Sequence, residues 1–316
     1  DMRAITMRQD ELYGASLPTL LRRIGDIQTV GLFCGFLEDR FALPGDQVMA
    51  PALELVRELL LEPKLVEGCF DPEFVESEKR NLISDIESEL NDKRSYAAVQ
   101  MLRSMCAGDS FALSLRGEKA DVEAITARSL YDHYQKILRT SPVELFFVGS
   151  ADAREVAARL MPLAEALAAE PMTLPAQTAL NLTAPEREFS ETMDVNQGKL
   201  SMGFTTPVTN QHPDFAAMQV FNALYGAGMT SKLFMNVREK LSLCYYAGSG
   251  YYGSKGIVTV SSGIDEANYE TAKAEILRQL RACREGDFTE LELTSAKQAL
   301  LSQLKSTHDS PGAIEG

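Results

Sequence analysis

Two side chains within residues 231–245, SKLFMNVREKLSLCY, are of types that can donate to a ligand from a helix–strand corner: Arg238 and Tyr245. Arginine offers charge-assisted N–H donors and tyrosine a phenolic O–H, so the two residue types are open to a binding role. Both residues also have an ordinary use. A cation in the last turn of a helix is favoured by the macrodipole by roughly 0.3–1 kcal/mol, and tyrosines at period two suit any half-buried strand. A second pair, Glu78 and Asp85, shares one face of an acidic helix, a placement open to metal binding or acid–base work. Its ordinary use is a solvated face with Lys79 and Arg80 as partners.

Other chemistries find less support. The histidines, His133, His212 and His308, form no i, i+4 pair, and both HExxH and HxxEH are absent, so no histidine-based zinc site can be assembled from local sequence. Gly226 and Gly228 join two helices rather than a strand and a helix, which reads as a tight turn instead of a phosphate cradle. No serine stands in a GxSxG context. The net charge of −14 argues against nucleic acid, whose binding draws on a basic surface. No apolar run approaches ~18 residues, so no membrane span is expected. Cys34, Cys69, Cys106, Cys244 and Cys283 are odd in number and never in a CxxC arrangement, which fits a reducing compartment. With no secretory signal pattern either, the expected location is cytoplasmic. The chain opens on Asp1 rather than Met, so natural sequence is expected to precede it.

Elements must hold these residues in place. Composition, 45% hydrophobic and 24% charged, fits a folded chain of two ordinary domains. The first reads as residues 1–170. It has a strand over 24–37, a helix over 46–61 with Met49, Leu53, Val56 and Leu60 at helical spacing, and a helix over 72–90 with Asp71 as N-cap and Pro72 in its first turn. Helices over 94–106 and 127–139 follow, the latter capped by Thr126, then a strand over 143–150 and an alanine-rich helix over 152–169. Residues 171–185 carry three prolines and no periodicity, and read as a linker. The second domain, 186–316, opens with strands over 187–195 and 198–208 and a helix over 213–225. A helix ending near Lys240 then leads into a strand. Alternation along that strand puts Leu243, Tyr245 and Ala247 on one face and Cys244 and Tyr246 on the other. A strand over 256–264 and helices over 266–284 and 288–306 complete it. SEKRNLISDI (77–86) matches SAKQALLSQL (295–304) at an offset of 218, each in a second helix after a strand. Two copies of one α+β unit are the expected architecture.

Residues 231–245 resemble the pitrilysin/insulinase family of zinc peptidases, which includes the mitochondrial processing peptidases. In that family a glycine-rich turn precedes S-x-L-F-x-x-V-R-E-K-x-x-L-x-Y, and the resemblance extends from about residue 10 to the end of the chain. It implies an α+β fold of two homologous α/β-sandwich domains. It also implies that Arg238 and Tyr245 bind substrate. EKRNLISD (78–85) matches the family's ExxxxxxE spacing, but Asp85 stands where the zinc-binding glutamate is expected, leaving Glu78 and Asp85 as vestigial positions. DELYGASL (10–17) is similar to the non-catalytic bacterial branch, whose members pair with a zinc-bearing sister. The resemblance therefore implies a chain that is no enzyme on its own and binds extended peptide. Its partner is a catalytic HxxEH sister or a second copy of itself, with zinc only in the catalytic partner. Two other readings stay open: an active metallopeptidase whose metal-binding segment lies upstream of Asp1, and an assembly scaffold that binds no peptide.

Overall fold

The computed structural model describes residues 2–176, 178–180 and 186–315, so Gln177 and residues 181–185 of the sequence-read linker lie outside the described residues. Helices and short strands are mixed along the chain, as an α+β class requires. They gather into two units, residues 1–86 with 114–175 and residues 87–113 with 176–314. This differs from a boundary at 170. Helix Lys93–Met105 belongs with the second unit, where Leu102 and Cys106 bury against Phe111, Leu180 and Ile257. Its apolar period reads the same in either setting, because periodicity names a buried face and not the partner that buries it.

In the first unit the strand expected over 24–37 is a hairpin, Thr19–Ile24 paired with Ile27–Leu32. Gly25 and Asp26 make its two-residue turn, with Gly25 at φ +60°, a conformation glycine adopts without strain. Helix Met49–Leu61 buries Met49, Ala52 and Leu55, the last two against Leu12, Ala15 and Val48; of the stripe read off the sequence Met49 is buried, while Leu53, Val56 and Leu60 are half-buried. Helix Pro72–Ser88 starts as expected: Glu73 N–H donates to the Asp71 carboxylate at 3.0 Å. Helix Ala127–Thr140 likewise opens on a reciprocal capping box of Thr126 and Ser129. Residues 143–150, expected as a strand, join no sheet among the described residues.

The second unit holds a three-stranded antiparallel sheet with Ile257–Ile264 in the centre, Gly198–Thr205 on one side and Cys244–Tyr252 on the other. The strand expected over 187–195 is not part of it. One sheet face meets helices Phe215–Tyr225, Tyr269–Glu285 and Glu290–Ser306. There Leu200, Ala247, Val260 and Ile264 bury with Leu224, Tyr225, Ile276 and Ala296. At roughly 1.5–3 kcal/mol for each large apolar side chain, this cluster dominates the unit's stability. Helix Lys93–Met105 lies on the opposite face against strand Gly198–Thr205. Gly203 permits that approach, since a Cβ there would stand 2.4 Å from Met105 Sδ and 2.7 Å from Met101 Sδ.

Candidate functional site: a groove beside an edge strand

The Arg238 segment is a π-helix, Leu233–Lys240, and not the α-helix read from its period. Leu241 N–H reaches back five residues to the Asn236 carbonyl at 3.2 Å. Asn236 Nδ2 donates to the Lys232 carbonyl at 3.0 Å and to Oε1 of the buried Gln279 at 3.3 Å, placing a side-chain donor inside the backbone ladder. Arg238 leaves this helix with its guanidinium 4.6 Å from the Phe234 ring centroid and 3.6 Å from the Glu239 carboxylate. It also stands near the start of the following strand: burial pushes the Cys244 thiol up, and the Arg238 charge partly offsets that rise.

Tyr245 is 69% exposed and sits at a β-bulge, between the pairs Cys244–Ile264 and Tyr246–Gly263. The bulge breaks the alternation expected along this strand in part: Leu243 and Ala247 share the core side as expected, but Tyr245 does not join them and Cys244 does. Cys244 and Ala247 both border the main core, while Tyr246 turns to the opposite face beneath Arg94. An inserted residue shifts parity, and nothing in the composition of LCYYA announces one. Among the described residues no hydrogen bond or ring contact joins Arg238 to Tyr245; they stand on two elements that pack together.

Between these elements and the first turn of helix Lys93–Met105 runs a groove of about 540 Å³. Gly248, Gly250, Thr259 and Ser261 line it from the sheet, the turn Gly226–Met229 and Phe234 from one side, and Arg94, Ser95 and Ala98 from the other. The glycines matter here because main chain meets main chain. Ser249 N–H donates to the Gly226 carbonyl at 3.0 Å, and Ser249 Oγ donates to Asn222 Oδ1 at 2.8 Å. A Cβ on Gly226 would stand 2.6 Å from the Ser249 nitrogen. The turn reading of Gly226 and Gly228 therefore holds, and the same turn is a wall of the groove. Glycines alternating in AGSGYY, inside a strand, carried the signal for such a close approach. No sequence signal pointed to Arg94.

Glu78 and Asp85 lie on the exposed side of helix Pro72–Ser88, with Asn81 Nδ2 3.5 Å from the Glu78 carboxylate. Among the described residues no group of three or more His, Cys, Asp or Glu side chains is placed to hold a metal ion. Two solvated acids on one helix face, without an imidazole beside them, do not fit a tetrahedral zinc centre.

The second unit is thus a sheet flanked by helices on both faces, with a glycine-walled groove beside an edge strand. The family model described as Peptidase M16 inactive domain matches residues 124–300. A Bacillus subtilis (strain 168) protein described as "Probable inactive metalloprotease YmfF" is 33% identical over 300 residues, covering 95% of this chain and 70% of its own length. A solved structure of a conserved protein from Enterococcus faecalis V583 superposes with a TM-score of 0.89 at 30% identity, over 99% of this chain and 74% of that one. The peptidase M16 inactive domain from Pseudomonas fluorescens shares the fold, with a TM-score of 0.76 at 18% identity over 99% of this chain and 72% of that one. The chain belongs to the M16 peptidases, the pitrilysin/insulinase family, in their inactive branch. Among its described residues no helix is long and apolar enough to cross a membrane.

Proposed function

We propose that this chain is a non-catalytic subunit that binds extended peptide and works beside a catalytic, zinc-bearing sister of its own family. The supporting observation is the groove along strand Cys244–Tyr252, an edge of its sheet; Arg238 and Tyr245 do not line it but stand on the helix and the strand that border it. An extended peptide lies against such an edge as a further strand, its main chain supplying affinity and its side chains specificity. Gly226 already takes the Ser249 N–H, so the peptide is held along the groove rather than across a fully open edge. The Arg238 guanidinium and the Tyr245 phenol then donate to peptide carbonyls. In a catalytic relative such donors would orient a scissile bond; here they hold and present the chain.

In this reading the protein has two homologous α/β-sandwich domains, carries no zinc of its own and acts in the cytoplasm. Its partner is the sister, with self-pairing the weaker form of the same arrangement. Titration of labelled extended peptides by fluorescence anisotropy tests the binding site. Arg238→Ala and Tyr245→Phe are each expected to weaken binding about 10-fold or more, the cost of one hydrogen bond with charge assistance, while thermal melts stay unchanged. Affinities equal to wild type in both variants would remove these residues from the site.

A further inference from the structure

Arg94 stands out in the groove wall. Its guanidinium carbon lies 4.1 Å from the Tyr246 ring centroid, and Lys199 Nζ approaches the same ring at 6.0 Å. Lys199 Nζ donates to Gln197 Oε1 at 2.7 Å, while the Ser95 hydrogen bonds, and behind them the Arg94 charge, hold the Asp92 carboxylate pKa below its ordinary value. The nearest acid along the helix, Asp92, is engaged by the N–H groups of Arg94 and Ser95 and by Ser95 Oγ. A cation in the first turn of a helix is disfavoured by the macrodipole, and the Arg94 charge offsets this only through its attraction to the Asp92 N-cap. The Tyr246 ring beneath it holds the guanidinium in place while leaving the side chain exposed beside the groove. A local choice that works against helix stability and presents a pre-oriented cation to a cavity belongs to binding.

We propose that the groove selects peptides carrying a carboxylate, which the Arg94 guanidinium receives as a bidentate pair. This rests on the peptide-binding reading above and adds the substrate class. Planar two-point hydrogen bonding matches a carboxylate to arginine, and the second cation at Lys199 raises the local positive potential. Elsewhere the surface of a chain of net charge −14 repels such a peptide, so the preference is set at this point. The hydroxyls of Ser95, Thr259 and Ser261 are further groove-lining groups able to hydrogen-bond the same segment.

The test uses a position-scanned set of fluorescein-labelled Ala/Thr/Val peptides, each with one glutamate, against the same set with glutamine. Both sets are titrated into wild type, Arg94→Gln and Arg94→Lys, with thermal melts as a fold control. Wild type is expected to prefer glutamate at one or two adjacent positions by about 10-fold or more. That preference should vanish in Arg94→Gln and fall to an intermediate value in Arg94→Lys, which keeps charge but loses the planar fork. It should also shrink with added salt. Equal binding of the two sets to wild type, or a glutamate preference that survives in Arg94→Gln, overturns the inference and leaves peptide binding standing. If neither set binds wild type, the peptide-binding reading itself falls and the inference falls with it.

Discussion

Asp109→Ala is expected to destabilise the second unit by about 3 kcal/mol, the scale of a buried ion pair losing one partner. Lys255 is fully buried, and its Nζ lies 2.9 Å from Asp109 Oδ2. Asp109 also accepts from Phe111 N–H at 2.8 Å, starting the short turn that follows helix Lys93–Met105. The pair thus ties the segment 87–113 to the turn between the groove strand and the central strand. Removing the acid leaves a desolvated ammonium without its carboxylate, whereas Lys255→Met leaves a carboxylate that water already reaches. Lys255→Met should therefore cost less than Asp109→Ala in thermal melts. Two equal losses, or a loss below ~1 kcal/mol for Asp109→Ala, would mean that the buried charge is held by other means.

Gly226→Val is the second large effect, roughly 2–3 kcal/mol, from forcing a branched side chain into main-chain contact. Its Cβ would lie 2.6 Å from both the nitrogen and Oγ of Ser249 and 2.8 Å from a methyl of the fully buried Leu233. None of these can yield cheaply, because Ser249 is fixed in the sheet and Leu233 in the core. The turn must lift from the strand, breaking the Ser249–Gly226 hydrogen bond and reshaping the groove wall. Gly228→Ala is the control, since no atom lies within 4 Å of the Cβ it would add. Peptide affinity and melting temperature should both drop in Gly226→Val and hold in Gly228→Ala. A Gly226→Val protein that melts and binds as wild type would contradict the close contact that builds the groove.

Much of this was legible in the sequence, and the gaps have physical causes. Helix starts were readable because capping is local: Asp71, Thr126 and the following residues carry the whole signal. The mixed helix-and-strand class was readable from period, and family membership from the motif over residues 231–245, though neither the π-helix nor the bulge inside that motif was. The hairpin turn at Gly25 and Asp26 did carry a local signal, a glycine–aspartate pair between two strand-like runs, which the single-strand reading of 24–37 passed over. The π-helix was hidden because its apolar period reads like that of an α-helix, and the Asn236–Gln279 hydrogen bond beside it joins residues far apart in sequence. For the same reason helix Lys93–Met105 was read into the first unit, its anchor to the second being Asp109 with Lys255 and a shared apolar cluster. Arg94 faces the groove only through that placement, which no local pattern encodes.

The central claim is that this chain binds peptide without cutting it. The direct measurement incubates the protein with a labelled extended peptide and added zinc, follows binding by anisotropy, and recovers the peptide for mass spectrometry. Saturable binding with the peptide recovered intact is the predicted result. Cleavage products that grow with protein concentration and vanish with a chelator, or an absence of binding at any protein concentration, would contradict it.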